Sequence, residues 1–472
     1  MQLREYQLTA IENVSKQFAA GNRRVILQSA TGSGKTVIFC EMARRTVANG
    51  GRVLIFTDRK ELLSQSHNSL EQFGIVPKIL NAETKTLPTN YTVVVAMAQT
   101  FKRRVNQAYT EFIQSFGLII IDEAHENIFN DLFLHLHPMQ YVVGPTATPV
   151  RRNPMPELAE TYNAIVETIS INELIQKEYL SEPHYYGIKV NLDNVHIKGG
   201  EYDETELTEM YSKNKIFVGV VTQYKKHTNG QKTIVFSASV QSSKELQSEF
   251  IANGYDCDHV DSYIDKSERD AILEKFAASK NGVLCNVGIL TKGYDCPDIE
   301  VVILYRATTS LALYLQMCGR GSRVTDNKKS FTILDFGNNV KRLGFWHEDR
   351  VWSLKNPPKK KKGEEVPAVK ECPQCDRLVP VAVSICPFCG FVFPVQKKKK
   401  TKEEVELVKL EYKEKKLQTI QDRYNEFLAN GGSLREFLQT IKHDRPALFA
   451  FAKMKNYKAG WVHHQFEPTG NH

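Results

Sequence analysis

SATGSGKT, residues 29–36, decides how the rest of this 472-residue chain is read. Against the nucleotide-binding pattern G-x-x-x-x-G-K-[ST] it departs at the first position, where Ser29 stands for glycine. Its surroundings supply the context that the pattern needs. Arg24-Val25-Ile26-Leu27-Gln28 reads as a short buried strand, and the apolar face of Val37 to Arg45 predicts a helix that stops at Gly50-Gly51. In such a strand–turn–helix unit Gly32 and Gly34, with Thr31 and Ser33 beside them, let the backbone curl so that successive N–H groups face inward. The helix N-terminus adds its positive end. Lys35 then reaches β- and γ-phosphates, and the Thr36 hydroxyl holds Mg²⁺. A glycine turn that only packs is the alternative, and a Lys-Thr pair directly after the last glycine is hard to explain by packing.

A chain of this length is expected to form about three domains with ample cores. Hydrophobic content of 42% and charged content of 25% are ordinary for a soluble protein. No apolar run approaches the ~18 residues of a membrane span, and MQLREYQLTA lacks a secretory core, so a cytoplasmic protein without a membrane partner is expected. The net charge of +8 is concentrated: residues 355–402 hold twelve Lys or Arg against four acids. That segment points to an acidic polymer, with a solvated linker or a nuclear localisation signal as the other readings.

Strand-like runs at Val53 to Thr57, Val93 to Met97, Leu118 to Asp122 and Tyr141 to Gly144 alternate with helical stretches, the pattern of a parallel sheet with crossover helices. After an irregular, polar stretch from about 150 to 215, a second series begins with Thr233 to Ser237, Gly282 to Cys285, Glu300 to Tyr305 and Phe331 to Asp335. Two α/β domains in tandem are expected. In LIIIDEAHE an apolar strand runs straight into Asp122 and Glu123. Beside a phosphate loop, Asp122 can hold Mg²⁺ while Glu123 polarises the water that attacks the γ-phosphate. Taken without that loop, two acids at a strand end read equally well as a solvated turn.

SATGSGKT, DEAH at 122–125, TAT at 146–148, VGILTKGYDCP at 287–297 and QMCGRGSR at 316–323 resemble, in order and spacing, the successive motifs of superfamily 2 helicases. The resemblance covers about residues 1–345 and implies two RecA-like domains with ATP between them. It also answers the departure at Ser29, since the family's loop commonly accepts a residue other than glycine there. It implies adenine recognition by LREYQ through Gln7 with support from Arg4, and nucleotide contacts of Gly293 and Asp295. Gln316, Arg320 and Arg323 are then supplied by the second domain as catalytic groups, the arginines stabilising charge on the transferring phosphoryl group. His125, Thr146 and Thr148 are the family's coupling positions, and Thr291 its backbone contact to nucleic acid. Arg59 in FTDRKELLSQ, Gln99-Thr100 and FSAS at 236–239 match other nucleic-acid motifs more loosely.

Nine cysteines are unevenly used. Cys40, Cys257, Cys285, Cys296 and Cys318 read as reduced core thiols. Cys372, Cys375, Cys386 and Cys389 form C-x2-C-x10-C-x2-C, spacing that can place four thiolates around Zn²⁺ in a small ribbon. A redox pair or an iron–sulfur site are the competing readings. Beyond Lys402 the composition predicts helices, and Tyr457, Trp461, His463 and His464 are either base-stacking or core residues.

The expected architecture is thus α/β: a RecA-like ATP-binding domain at 1–150, a connecting segment at 151–215, a second RecA-like domain at 216–345, a four-cysteine zinc ribbon at 369–395 and a helical basic region at 396–472. A helicase-like core followed by a four-cysteine module and a basic tail resembles RadD-type bacterial helicases and related phage helicases. The implied activity is ATP-dependent translocation on, or unwinding of, single-stranded or branched DNA with ATP, Mg²⁺ and Zn²⁺. An RNA helicase and a non-catalytic DNA-binding scaffold are the alternatives, and no protein partner is indicated.

Overall fold

The computed structural model describes residues 3–58, 60–151, 156–188, 197–198, 201–202, 206, 216–228, 230–291, 293–355, 369–371, 378–380, 391 and 407–410, with 424–425, 428, 433–441, 451 and 455 in the tail. The chain divides into a large unit, Met1–Leu410, and a small one, Glu411–His472.

In the large unit the first sheet is built from β1 (Arg24–Gln28), β2 (Val53–Thr57), β3 (Lys78–Leu80), β4 (Val93–Met97), β5 (Leu118–Ile121), β6 (Tyr141–Thr146) and β7 (Ala164–Glu167). Their order is β3-β4-β2-β5-β6-β1-β7, and every pairing is parallel. The strands β2, β4 and β5 are buried at every position, which is why they read as unbroken apolar runs. Alternate side chains enter two cores. Val25, Leu27, Val53 and Ile55 face one layer, and Ile26, Leu54 and Phe56 the other.

The second sheet contains β8 (Glu182–Ile188), β11 (Thr233–Ser237), β12 (Cys257–Val260), β13 (Val283–Asn286), β14 (Val301–Tyr305), β15 (Ser330–Asp335) and β18 (Leu407–Leu410); β9 (Ile197–Lys198) and β10 (Glu201–Tyr202) form a separate hairpin. Its order is β12-β13-β11-β14-β15-β8-β18. All pairings are parallel except that of β18 with β8. Again two cores flank it, one holding Ile234, Phe236, Val302 and Leu304, the other Val235, Val301, Ile303 and Tyr305. Ala30 of the first domain's phosphate loop packs into the former, as does Leu180. The five dispersed cysteines are free and buried, as expected of core thiols.

The α/β class with two parallel sheets agrees with the expectation. The stretch 151–215, expected as a connection, lends β7 to the first sheet and β8 to the second. The tail differs from the helix expected after Lys402: Leu407–Leu410 is an antiparallel strand on β8. Charged residues there favour a helix locally, but β8 would otherwise leave an unpaired edge, and edge pairing prevails. A further hairpin joins β16 (Val369–Glu371) to β17 (Leu378–Pro380). No helix among the described residues is long and apolar enough to cross a membrane.

In the small unit the helix Leu434–Ile441 begins at Ser433, whose hydroxyl accepts from the Glu436 N–H at 3.4 Å while the Glu436 carboxylate accepts from the Ser433 N–H at 2.8 Å. Tyr424, Phe437 and Phe451 pack ring against ring, with centroids 5.0 to 5.6 Å apart. Tyr457, Trp461, His463 and His464 lie outside the described residues.

Candidate active site

The chemistry-bearing loops leave the carboxyl ends of the first sheet, where open α/β sheets take ligands. The strand β6 lies between β1 and β5, so the loop after β1 and the acids after β5 face each other across Thr146.

In the phosphate loop Gly32 and Gly34 have φ of +84° and +80°, a region that side chains with a Cβ rarely adopt. A Cβ on Gly34 would stand 2.6 Å from Gln7 Nε2, and one on Gly32 2.8 Å from Leu180 Cδ2. The helix Lys35–Ala48 starts at Gly34 and aims its N-terminus into the loop. Ser29 is stitched in by its hydroxyl. Thr168 Oγ1 donates to Ser29 Oγ at 3.2 Å, Ser29 and Ser33 hydroxyls are 2.6 Å apart, and Ser33 Oγ donates to the Ala30 carbonyl at 2.6 Å. This hydroxyl chain is what serine adds at a position where glycine would offer none.

The N-terminal element closes over the same loop. Gln7 Oε1 accepts from the Arg4 N–H at 2.9 Å, and its Nε2 donates to the Ser33 carbonyl at 3.3 Å. Tyr6 also donates to that carbonyl, at 2.6 Å. The Arg4 guanidinium lies 3.9 Å over the ring of Tyr179, a flat cationic and aromatic stack beside the loop.

Lys35 Nζ lies 3.2 Å from Glu123 Oε1. Glu123 holds a left-handed backbone, φ +50°, and its carboxylate reaches Lys35 of the loop. Its other oxygen lies 3.4 Å from Thr146 Oγ1 and from His125 Nδ1, which are themselves 2.8 Å apart. Thr146 Oγ1 also accepts from the Thr148 N–H at 3.2 Å. His125, Thr146 and Thr148, the expected coupling positions, therefore form one network on Glu123. Asp122 is buried, and burial first, then the neighbouring Glu123 charge, push its carboxyl up to about 7. Such a carboxylate could exchange its proton for a divalent cation, and Thr36 is the hydroxyl expected to share that cation with it.

From the second domain, the turn after the helix Leu311–Cys318 meets the phosphate loop directly. A Cβ on Gly319 would come within 2.6 Å of Thr31 Cγ2. Gln316 is buried in that helix. The two arginines are held within their own domain: Arg320 donates to the carbonyls of Thr291, at 2.8 Å, and of Tyr294, and Arg323 Nε lies 3.0 Å from Asp295 Oδ1. Gly293, φ +73°, provides the bend between Thr291 and Asp295.

The expected nucleic-acid positions are more dispersed. Gln99 Nε2 donates to the Asp58 carbonyl at 2.6 Å, Thr100 is buried, and Thr291 Oγ1 donates to the Gly288 carbonyl at 3.3 Å. Arg59 lies outside the described residues, as do Cys372, Cys375, Cys386 and Cys389. The hairpin β16–β17 brackets the first two cysteines.

Several residues were missed in the sequence. Tyr179 stacks on Arg4, while the Ser181 N–H donates to the Ser322 carbonyl at 2.7 Å and Ser181 Oγ to the Arg323 carbonyl at 2.9 Å. Residues 179–181 thus join the N-terminal element to the arginine-bearing turn. Arg151 is buried behind DEAH. Its place three residues after TAT was the only local signal.

Comparison with known proteins agrees with this geometry. Residues 1–151 match the family model described as "Type III restriction enzyme, res subunit", residues 212–325 that of the "Helicase conserved C-terminal domain", and residues 370–395 the "Uncharacterised protein family UPF0547". The chain is 30% identical over 404 residues to a 51.5 kDa protein of a Lactococcus phage, covering 84% of this chain and 85% of the relative. It is 26% identical to the type I restriction enzyme EcoAI endonuclease subunit of Escherichia coli, over 71% of this chain and 46% of that subunit. The fold is shared with the ATP-dependent type ISP restriction-modification enzyme LlaBIII bound to DNA, at a TM-score of 0.52, 18% identity, and coverage of 71% of this chain and 27% of that one. The chain spans less than half the length of the latter two. With the phage relative matching along most of both lengths and the helicase models falling on the two sheets in order, the chain belongs to the superfamily 2 helicases, ATP-hydrolysing enzymes of the nucleic-acid motor class.

Proposed function

We propose that the chain is a DNA-dependent ATPase that translocates on or unwinds single-stranded or branched DNA in the cytoplasm, hydrolysing ATP between domains at 1–150 and 216–345. The observation that carries the reading is the contact of two loops: Thr31 abuts Gly319 of the arginine-bearing turn while Lys35, four residues on, stands 3.2 Å from Glu123. In this reading Thr31 to Lys35 hold the phosphates, and Gln7, Arg4 and Tyr179 hold the base. Glu123 polarises the attacking water, with His125, Thr146 and Thr148 relaying its position. Thr36 and Asp122 hold Mg²⁺, which supplies charge neutralisation at the phosphates. Gln316, Arg320 and Arg323 exchange their present partners for phosphate oxygens as the domains close, and Gly293 and Asp295 adjust with them. Gln99, Thr100 and Thr291 would contact the polynucleotide, as would Arg59, which lies outside the described residues.

DNA is preferred over RNA because the model matching residues 1–151 and the Escherichia coli relative are both restriction-enzyme subunits. Binding of labelled single-stranded DNA, forked DNA and RNA of equal length, followed from about 50 to 200 mM salt, tests this. DNA should bind tightest, and its affinity should fall steeply with salt. Tighter RNA binding would move the chain to the RNA helicases, and salt-independent binding would contradict a phosphate-gripping motor.

The four cysteines are proposed to hold Zn²⁺ in a ribbon at 369–395, supported by the hairpin that brackets the first pair and by the UPF0547 match. A kinship with the RadD-type helicases rests on that module following the helicase core, with residues 396–472 as the basic end. Elemental analysis should find one zinc per chain, lost on replacing Cys372 and Cys375 by serine; zinc-free wild type would remove the ribbon.

A further inference from the structure

The DEAH turn is gripped from behind by a buried cation. Arg151 is 3% exposed, and its guanidinium donates through Nη2 to the Ala124 carbonyl at 3.2 Å, through Nε to the His125 carbonyl at 3.2 Å and through Nη1 to the Pro156 carbonyl at 3.4 Å. Burying a guanidinium is costly unless its donors are met, and here all three named partners are backbone oxygens. Two of them follow Glu123 directly.

The turn needs such a grip. Glu123 sits at φ +50° without being glycine, and a residue in that region persists only where its surroundings over-determine it. From the front, the Ala124 N–H donates to the Pro145 carbonyl at 3.2 Å and the Glu126 N–H to the Glu123 carbonyl at 2.9 Å. Arg151 supplies the opposing pair of bonds through two nitrogens of one rigid planar fork, whereas a lysine would have to direct a single nitrogen on a flexible stem at both carbonyls. Arg151 also follows Thr146-Ala147-Thr148 after two residues, so one short segment carries both the threonine that contacts the Glu123 carboxylate and the guanidinium that holds the turn.

We propose that Arg151 is a positioning residue for hydrolysis: it fixes the left-handed backbone at Glu123, and so the direction of its carboxylate, and ties that direction to the Thr146–Thr148 segment. The inference rests on the assignment of Glu123 as the group that polarises water.

Steady-state ATP hydrolysis, without polymer and with single-stranded DNA, compared among wild type, Arg151→Lys, Arg151→Gln, Glu123→Gln and the double variant Glu123→Gln/Arg151→Lys, tests it. Thermal midpoint and affinity for a fluorescent ATP analogue are read alongside. Arg151→Lys keeps the charge and most of the volume, so it addresses the fork where Arg151→Gln fails to fold. A misplaced carboxylate predicts a kcat reduced by about 10- to 100-fold with KM and analogue affinity within about twofold. In the double variant the second change should cost less than about twofold beyond Glu123→Gln, because both act through one carboxylate. Normal kcat in Arg151→Lys, or a double variant reduced by the full product of the two factors, would overturn the inference alone. Wild-type rates in Glu123→Gln would overturn the underlying assignment instead.

Discussion

The Lys35 ammonium and the Glu123 carboxylate, 88 residues apart in sequence, lie 3.2 Å from each other at the carboxyl edge of the first sheet. The charge proposed to reach for phosphate and the carboxylate proposed to polarise water therefore neutralise one another, and a phosphate that draws Lys35 away would free Glu123. Replacing Lys35 by alanine should lower kcat/KM for ATP by ~10²-fold or more, the scale of losing one preorganised charge contact in an enclosed site. Steady-state hydrolysis checks it, and an unchanged rate would place the chemistry elsewhere.

Asp122 gives a pH signature. Burial and the Glu123 charge push its carboxyl up to about 7, so between the ordinary carboxylate range and 7 the folded chain holds a proton that the unfolded chain has lost. Ionising Asp122 thus costs stability as pH rises through that window, and a bound dication offsets the cost. Mg²⁺ affinity should then rise by up to about tenfold per pH unit below 7 and level off above it, because binding releases the proton. Calorimetric titration at several pH values should show this slope in wild type and lose it in Asp122→Asn.

Ser29 is structural. Replacing it by glycine, which restores the strict pattern, removes the hydroxyl that joins Thr168 to Ser33 and should lower stability by about 1 to 2 kcal/mol for two lost hydrogen bonds. The KM for ATP should change less than the denaturation midpoint. A large KM change with unaltered stability would make Ser29 a nucleotide contact.

Much of the site was legible because its chemistry sits in short segments at strand ends. Gly34-Lys35, Asp122-Glu123 and Thr146 each follow an apolar run that announces its strand, and the parallel order brings them together. What was not legible depends on partners distant in sequence. Ser181 finds Ser322 and Arg323, and Arg151 finds Ala124, only after the sheets have formed. The strand β7 offers only the short apolar run Ala164-Ile165-Val166 between polar neighbours, and β8 a mixed composition, so their pairing edges complete what their own composition leaves open. Leu407–Leu410 was read as helix for the same reason.

Arg323 and Asp295 form a partly exposed ion pair at 3.0 Å. Such pairs contribute about 0 to 1 kcal/mol, which makes Arg323 cheap to redirect toward phosphate. Asp295→Ala should leave the thermal midpoint nearly unchanged, whereas Arg323→Ala should reduce kcat by ~10³-fold as a lost arginine finger. If Arg323→Ala hydrolyses ATP normally, its role is limited to the pair.

The most direct measurement is steady-state ATP hydrolysis by wild type and Glu123→Gln, each alone and with single-stranded DNA, branched DNA or RNA. The account predicts that DNA raises the wild-type rate while Glu123→Gln stays flat with every polymer. Stimulation by RNA alone, or a wild type that no polymer stimulates, would contradict the DNA motor proposed here.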